Sequence, residues 1–118
     1  MDPKFAVRTY QFAERAKSEL IIGSQLAIAL AQFPASEKPG GKRMLLMLLG
    51  SIRAELEFAH GDTKKREFRS AIDHLNEAIS LTENMELGAA SERLSRAISA
   101  ATTAAQEAWD ALSKHELL

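Results

Sequence analysis

Apolar residues recur along the chain at intervals of three and four, and three clusters of glycine, proline and small polar residues interrupt them: Phe33–Gly41, His60–Thr63 and Asn84–Gly88. The pattern predicts four amphipathic helices and no strand. Helix 1 is expected over about Pro3–Gln32, with Asp2 as its cap, Pro3 at its first position and a narrow stripe of Ala13, Ala16, Leu20, Gly23, Ala27 and Leu30. Between Leu20 and Ala31 apolar residues spread nearly all round, which implies enclosure on several sides.

Helix 2 is expected over about Lys42–Ala59, with Leu45, Leu48, Leu49, Ile52, Leu56 and Ala59 in register. Met44, Leu46, Met47 and Phe58 fall outside that stripe, more apolar surface than one core face requires. Gly61 in the following turn is the expected left-handed stop, with Asp62 or Thr63 capping the next helix. Helix 3, about Lys64–Glu83, has the cleanest periodicity, through Phe68, Ala71, Ile72, Leu75, Ala78, Ile79 and Thr82. Helix 4, about Leu87–His115, presents Ala90, Leu94, Ala97, Ile98, Ala101, Ala105, Ala108 and Leu112, a stripe so rich in alanine that it implies close approach to a neighbour. Short connections make sequential helices antiparallel. The fold class is therefore all-α: one domain, 1–118, an up-down-up-down four-helix bundle with long outer helices 1 and 4 and shorter helices 2 and 3.

Unequal lengths have a consequence. At 1.5 Å per residue helices 2 and 3 would reach roughly 30 Å and helices 1 and 4 roughly 40–45 Å. The surplus, about Pro3–Phe12 and Ala108–Leu118, would overhang at one end, carrying Phe5, Val7, Tyr10, Phe12, Trp109, Leu112, Leu117 and Leu118 beside Phe58 and Phe68. A contiguous apolar patch of that kind marks an interaction surface. Phe5, Tyr10, Phe12, Trp109 and Leu112 are the candidate partner-binding residues there, and Met44, Met47 and Phe58 on helix 2 form a second candidate surface.

Composition narrows the function classes. A length of 118 residues suffices for a core without staples, and the absence of cysteine excludes disulfides and thiolate metal sites. Fifteen basic residues balance sixteen acidic ones, so a globally basic nucleic-acid binder is disfavoured. The longest apolar run, Met44–Leu49, is too short to span a bilayer, and the first residues lack a signal peptide's apolar region; a cytoplasmic protein without membrane partners is expected. A local basic cluster, Lys64, Lys65 and Arg66, would occupy the first turn of helix 3 against the helix dipole, a candidate anion or nucleic-acid contact.

Arg69-Ser-Ala-Ile-Asp-His74 pairs an arginine with a histidine five residues on, and Arg53 and His60 form a second pair. Both resemble the arginine–histidine motif of HEPN-type ribonucleases, small helical bundles that often dimerise. The resemblance implies that Arg69 and His74 act on a scissile RNA phosphate at a dimer cleft, guanidinium holding phosphate and imidazole moving a proton. The polar residue often found after that family's arginine is Ser70 here but Ala54 in the second pair.

Other chemistry is excluded. Glu57-Phe-Ala-His60 is similar to the ligand unit of ferritin-like di-iron bundles, but no second copy exists, so no metal or other cofactor is expected. Lys42-Arg43 after Gly40-Gly41 lacks the glycine and hydroxyl of a phosphate loop, with Ser36 and Arg43 in their places. The leading expectation is a non-enzymatic protein that works by protein–protein contact, self-associating through the aromatic end as a homo-oligomer, most simply a dimer. The alternative is an RNA-directed nuclease or nucleic-acid-binding module built on Arg69, His74 and the Lys64–Arg66 cluster.

Overall fold

Four helices account for nearly the whole chain in the computed structural model, which describes residues 1–116: α1 (Pro3–Leu30), α2 (Lys38–Thr63), α3 (Arg66–Glu83) and α4 (Leu87–Lys114). Each packs antiparallel to the next. Contact between α1 and α4 closes the ring and is the most extensive, so the architecture is the expected four-helix bundle, with α1 and α4 longest at 28 residues each. It is 54 Å long and about 20 Å across.

Local chemistry explains the helix ends. Asp2 caps α1 by accepting the Phe5 N–H at 3.2 Å, and Pro3 occupies the first position, where a missing N–H costs nothing. α2 departs from expectation at both ends. It starts at Lys38, taking Pro39, Gly40 and Gly41 into its first turn, because proline is tolerated there and the Gly41 N–H already reaches Glu37 O at 3.0 Å. At the other end it runs through His60, Gly61 and Asp62 to Thr63. The left-handed stop is Lys64 (φ 58°), not Gly61, and no glycine has positive φ. Thr63 is buried, and its hydroxyl donates to Ala59 O at 2.7 Å, extending the final turn. At 26 residues, α2 is thus only slightly shorter than α1; α3, with 18, is the short helix.

The core runs the length of the bundle through Leu20, Leu49, Ile52, Leu56, Phe68, Ile72, Leu75 and Leu94. The seam between α1 and α4 is built from small residues, among them Ala6, Ala13, Ala97, Ala101, Ala104 and Ala108, all fully buried, as the alanine stripe implies. Ser24 and Ser91 exchange a hydrogen bond across it at 3.0 Å. Gly23 faces the core: a Cβ there would lie 3.2 Å from Leu49 Cδ2, a tight contact that a shift of a few tenths of an ångström would relieve.

Candidate docking surface

Extension of α2 changes where apolar surface is left uncovered. Arg8 pairs with Asp62 at 3.1 Å, which brings the end of α2 level with the second turn of α1. The overhang shrinks to little more than Pro3–Val7 and the end of α4. Phe12, expected to protrude, is half-buried, edge-on to both Phe58 and Phe68. Tyr10 lies against Trp109 with ring centroids 5.7 Å apart, Phe5 is half-buried beneath the Arg8 guanidinium, and Leu112 is buried. Of the residues expected at the aromatic end, Val7, Phe58 and Trp109 remain substantially exposed, at 41%, 69% and 43%. Leu117 and Leu118 lie outside the described residues.

A larger group of exposed apolar side chains follows the α1–α2 seam, while Ile28, 59% exposed, and Trp109 lie away from it. Met44, Met47 and Phe58 are 74%, 70% and 69% exposed. Their spacing, together with Ser51 between them, is i, i+3, i+7, i+14, one stripe of α2. Ile22 and Leu26 of α1, and Phe33 of the connection that follows it, face the same seam, all at least 40% exposed. Two depressions indent this surface. The upper one, about 340 Å³, lies among Leu26, Ala29, Phe33, Met44 and Leu48. Gly41 forms part of its wall: a Cβ there would collide with Leu30 Cδ1 at 2.5 Å and Phe33 Cε2 at 2.9 Å, so only glycine leaves these side chains in place. The lower one, about 250 Å³, lies among Phe12, Ala16, Leu56 and Ala59 beside Phe58.

Between the depressions sits a small charged cluster. Arg15 reaches Glu19 at 3.1 Å and Glu55 at 2.8 Å. The Glu55 carboxyl is held above the usual carboxylate range, chiefly by its hydrogen bond with Glu19, then by burial and by the charge of Glu19; Arg15 pulls it the other way.

The candidate chemical residues are differently placed. Arg69 and His74 do line one groove between α3 and α4, together with Arg66, Ser70, Glu67 and Asp73. There the Arg69 guanidinium donates to Asp73 at 3.0 Å, and the His74 Nδ1 is buried with no hydrogen-bond partner. With Glu67 and Asp73 beside the two arginines, the groove holds no net excess of fixed positive charge. The basic cluster is dispersed. Lys64 terminates α2, where the helix dipole favours a cation; Lys65 precedes α3 and pairs with Glu107 on α4 at 2.5 Å; only Arg66 lies in α3. No dipole conflict therefore arises at Lys64. Arg53 donates to Asn76 at 3.1 Å, away from the Arg69 groove. Among the described residues no three histidine or carboxylate side chains gather as a metal site requires, and no helix is long and apolar enough to cross a membrane.

The sequence signalled Met44, Met47 and Phe58 through their position outside the core stripe. It gave no sign of Ile22 and Leu26, which read as members of an enclosed helix half, or of Phe33, which read as the start of the break before helix 2. No protein-family model matches the chain, and no curated protein or solved structure is found similar to it.

Proposed function

We propose that this protein is a non-enzymatic helical interaction module that self-associates through the α1–α2 face. One observation carries the reading: Ile22, Leu26, Phe33, Met44, Met47 and Phe58 cluster on a single face, 40–74% exposed. Their uncovered area is on the order of 600 Å², against roughly 800 Å² per partner in a standard interface. A lone chain gains nothing from leaving that much apolar surface in water, whereas a partner removes it at about 25 cal/mol per Å². Two methionines suit the face to contact, since their unbranched thioethers adapt to an opposing surface.

Light scattering coupled to size-exclusion chromatography tests the reading. The expected mass is that of two chains for the wild type, falling towards one chain for the double variant Met44→Ser, Met47→Ser. A single-chain mass for the wild type at about 100 μM, well above the μM affinities of weak specific complexes, overturns it. Incubation with single-stranded and structured RNA at low salt addresses the groove of Arg69 and His74. The expected result is intact RNA, and cleavage abolished by His74→Ala would replace this reading with the nuclease.

A further inference from the structure

Resting on that reading, we infer that the second copy docks antiparallel across a two-fold axis near Ser51, each Phe58 entering the upper depression of the other copy. A two-fold interface requires a surface complementary to itself: whatever projects at one height must meet a hollow at the height its rotated copy reaches. The α1–α2 face has this property. Phe12 beside Phe58, Arg15 beside Glu55 and Leu30 over Gly41 fix the antiparallel register of the two helices. In that register Phe58 stands level with Phe12, and the upper depression centres near Ala29, about 17 residues or about 25 Å higher. The midpoint falls near Ile21 on α1 and within about two residues of Ser51 on α2, both exposed.

A half-turn about that midpoint makes the ends exchange. Phe58, a ring 69% exposed, arrives over the 340 Å³ hollow among Leu26, Ala29, Phe33 and Leu48. The same rotation brings Met44, 74% exposed, over the 250 Å³ hollow beside the partner's own Phe12 and Leu56 positions. Two projections meet two hollows with one operation. A parallel arrangement would instead set Phe58 against Phe58 and leave both upper hollows unfilled.

Because the chain contains no cysteine, one introduced thiol reports the axis directly. Ser51→Cys, treated with a short bis-maleimide, is expected to give a covalent dimer as the main product. Ser99→Cys, exposed on α4, is expected to stay mostly single-chain. Phe58→Ala, a change on an exposed position, should weaken the dimer by ~10-fold or more, as removal of a buried aromatic anchor does. A wild-type mass of two chains, with Ser51→Cys no more cross-linked than Ser99→Cys and Phe58→Ala still fully dimeric, overturns this arrangement and leaves self-association standing. A wild-type mass of one chain removes both.

Discussion

Three glycines offer a graded test of how closely these helices pack. Gly50 lies in the middle of α2 with a negative φ, and a Cβ built on it would meet nothing within 4 Å. Alanine there should add only helix propensity, ~0.5–1 kcal/mol. That corresponds to a rise in melting temperature of about 2–4 °C for a domain of this size. At Gly23 the same gain meets resistance, since the new methyl lies 3.2 Å from Leu49 Cδ2 and Leu49 is fully buried; Gly23→Ala should come out near neutral. At Gly41 the methyl would overlap Leu30 Cδ1 at 2.5 Å and Phe33 Cε2 at 2.9 Å. Leu30 is 2% exposed and has little room to retreat, so overpacking of ~1–3 kcal/mol should exceed the propensity gain. Thermal denaturation of the wild type and the three alanine variants at one protein concentration should give the order Gly50→Ala, Gly23→Ala, Gly41→Ala, with only the first clearly above wild type. A Gly41→Ala protein as stable as Gly50→Ala would show that the first turn of α2 does not press on Leu30, and the account of the upper depression would fall with it.

Leu94→Ala, which empties a fully buried site facing Gly23, should cost ~3–5 kcal/mol in urea denaturation; a loss below about 1 kcal/mol would mean the core there collapses freely. Trp109→Ala should lose ~1–2 kcal/mol through its contact with Tyr10 and leave the solution mass at two chains, whereas a monomer would move the interface to the aromatic end. The Glu107 carboxyl is held below its ordinary range, first by the hydrogen bond from Lys65. A depressed folded pKa stabilises above the unfolded value, near 4.5, and that contribution vanishes as pH falls through the depressed one. Wild type should therefore lose melting temperature more steeply than Glu107→Gln between about pH 5 and pH 3, and parallel curves would count against the ion pair.

Much of the fold was legible because amphipathic helices announce themselves locally. The stripe of α3 from Phe68 to Thr82 and the alanine ridge of α4 are buried as their spacing implies. Asp2 and Pro3 mark the start of α1 by side-chain chemistry alone. The ends of α2 were not legible. Pro39, Gly40 and Gly41 are residues of turns and equally of a helix's first turn, and only the Gly41 N–H bonded to Glu37 decides between them. Gly61 has the composition of a stop, but the stop fell at Lys64, after a buried Thr63. The docking face was legible in part. Met44, Met47 and Phe58 stood out against their own helix, but Ile22 and Leu26 differ from buried Leu20 only in which neighbour α1 turns towards them, and that is a property of the assembled bundle.

Closure of the bundle by α1 against α4 bears on how the molecule comes into being. During synthesis α1 emerges first, and its alanine face stays unmatched until some sixty further residues have been made, on the order of several seconds at ribosomal speed. The turns joining α1 to α2 and α3 to α4 can form early, as local hairpins, but the largest contact in the molecule must await the meeting of segments most distant along the chain. Folding should consequently be limited by that late ring closure, and the nascent protein must hold a half-built bundle in water, its small-residue groove open, until the fourth helix arrives to fill it.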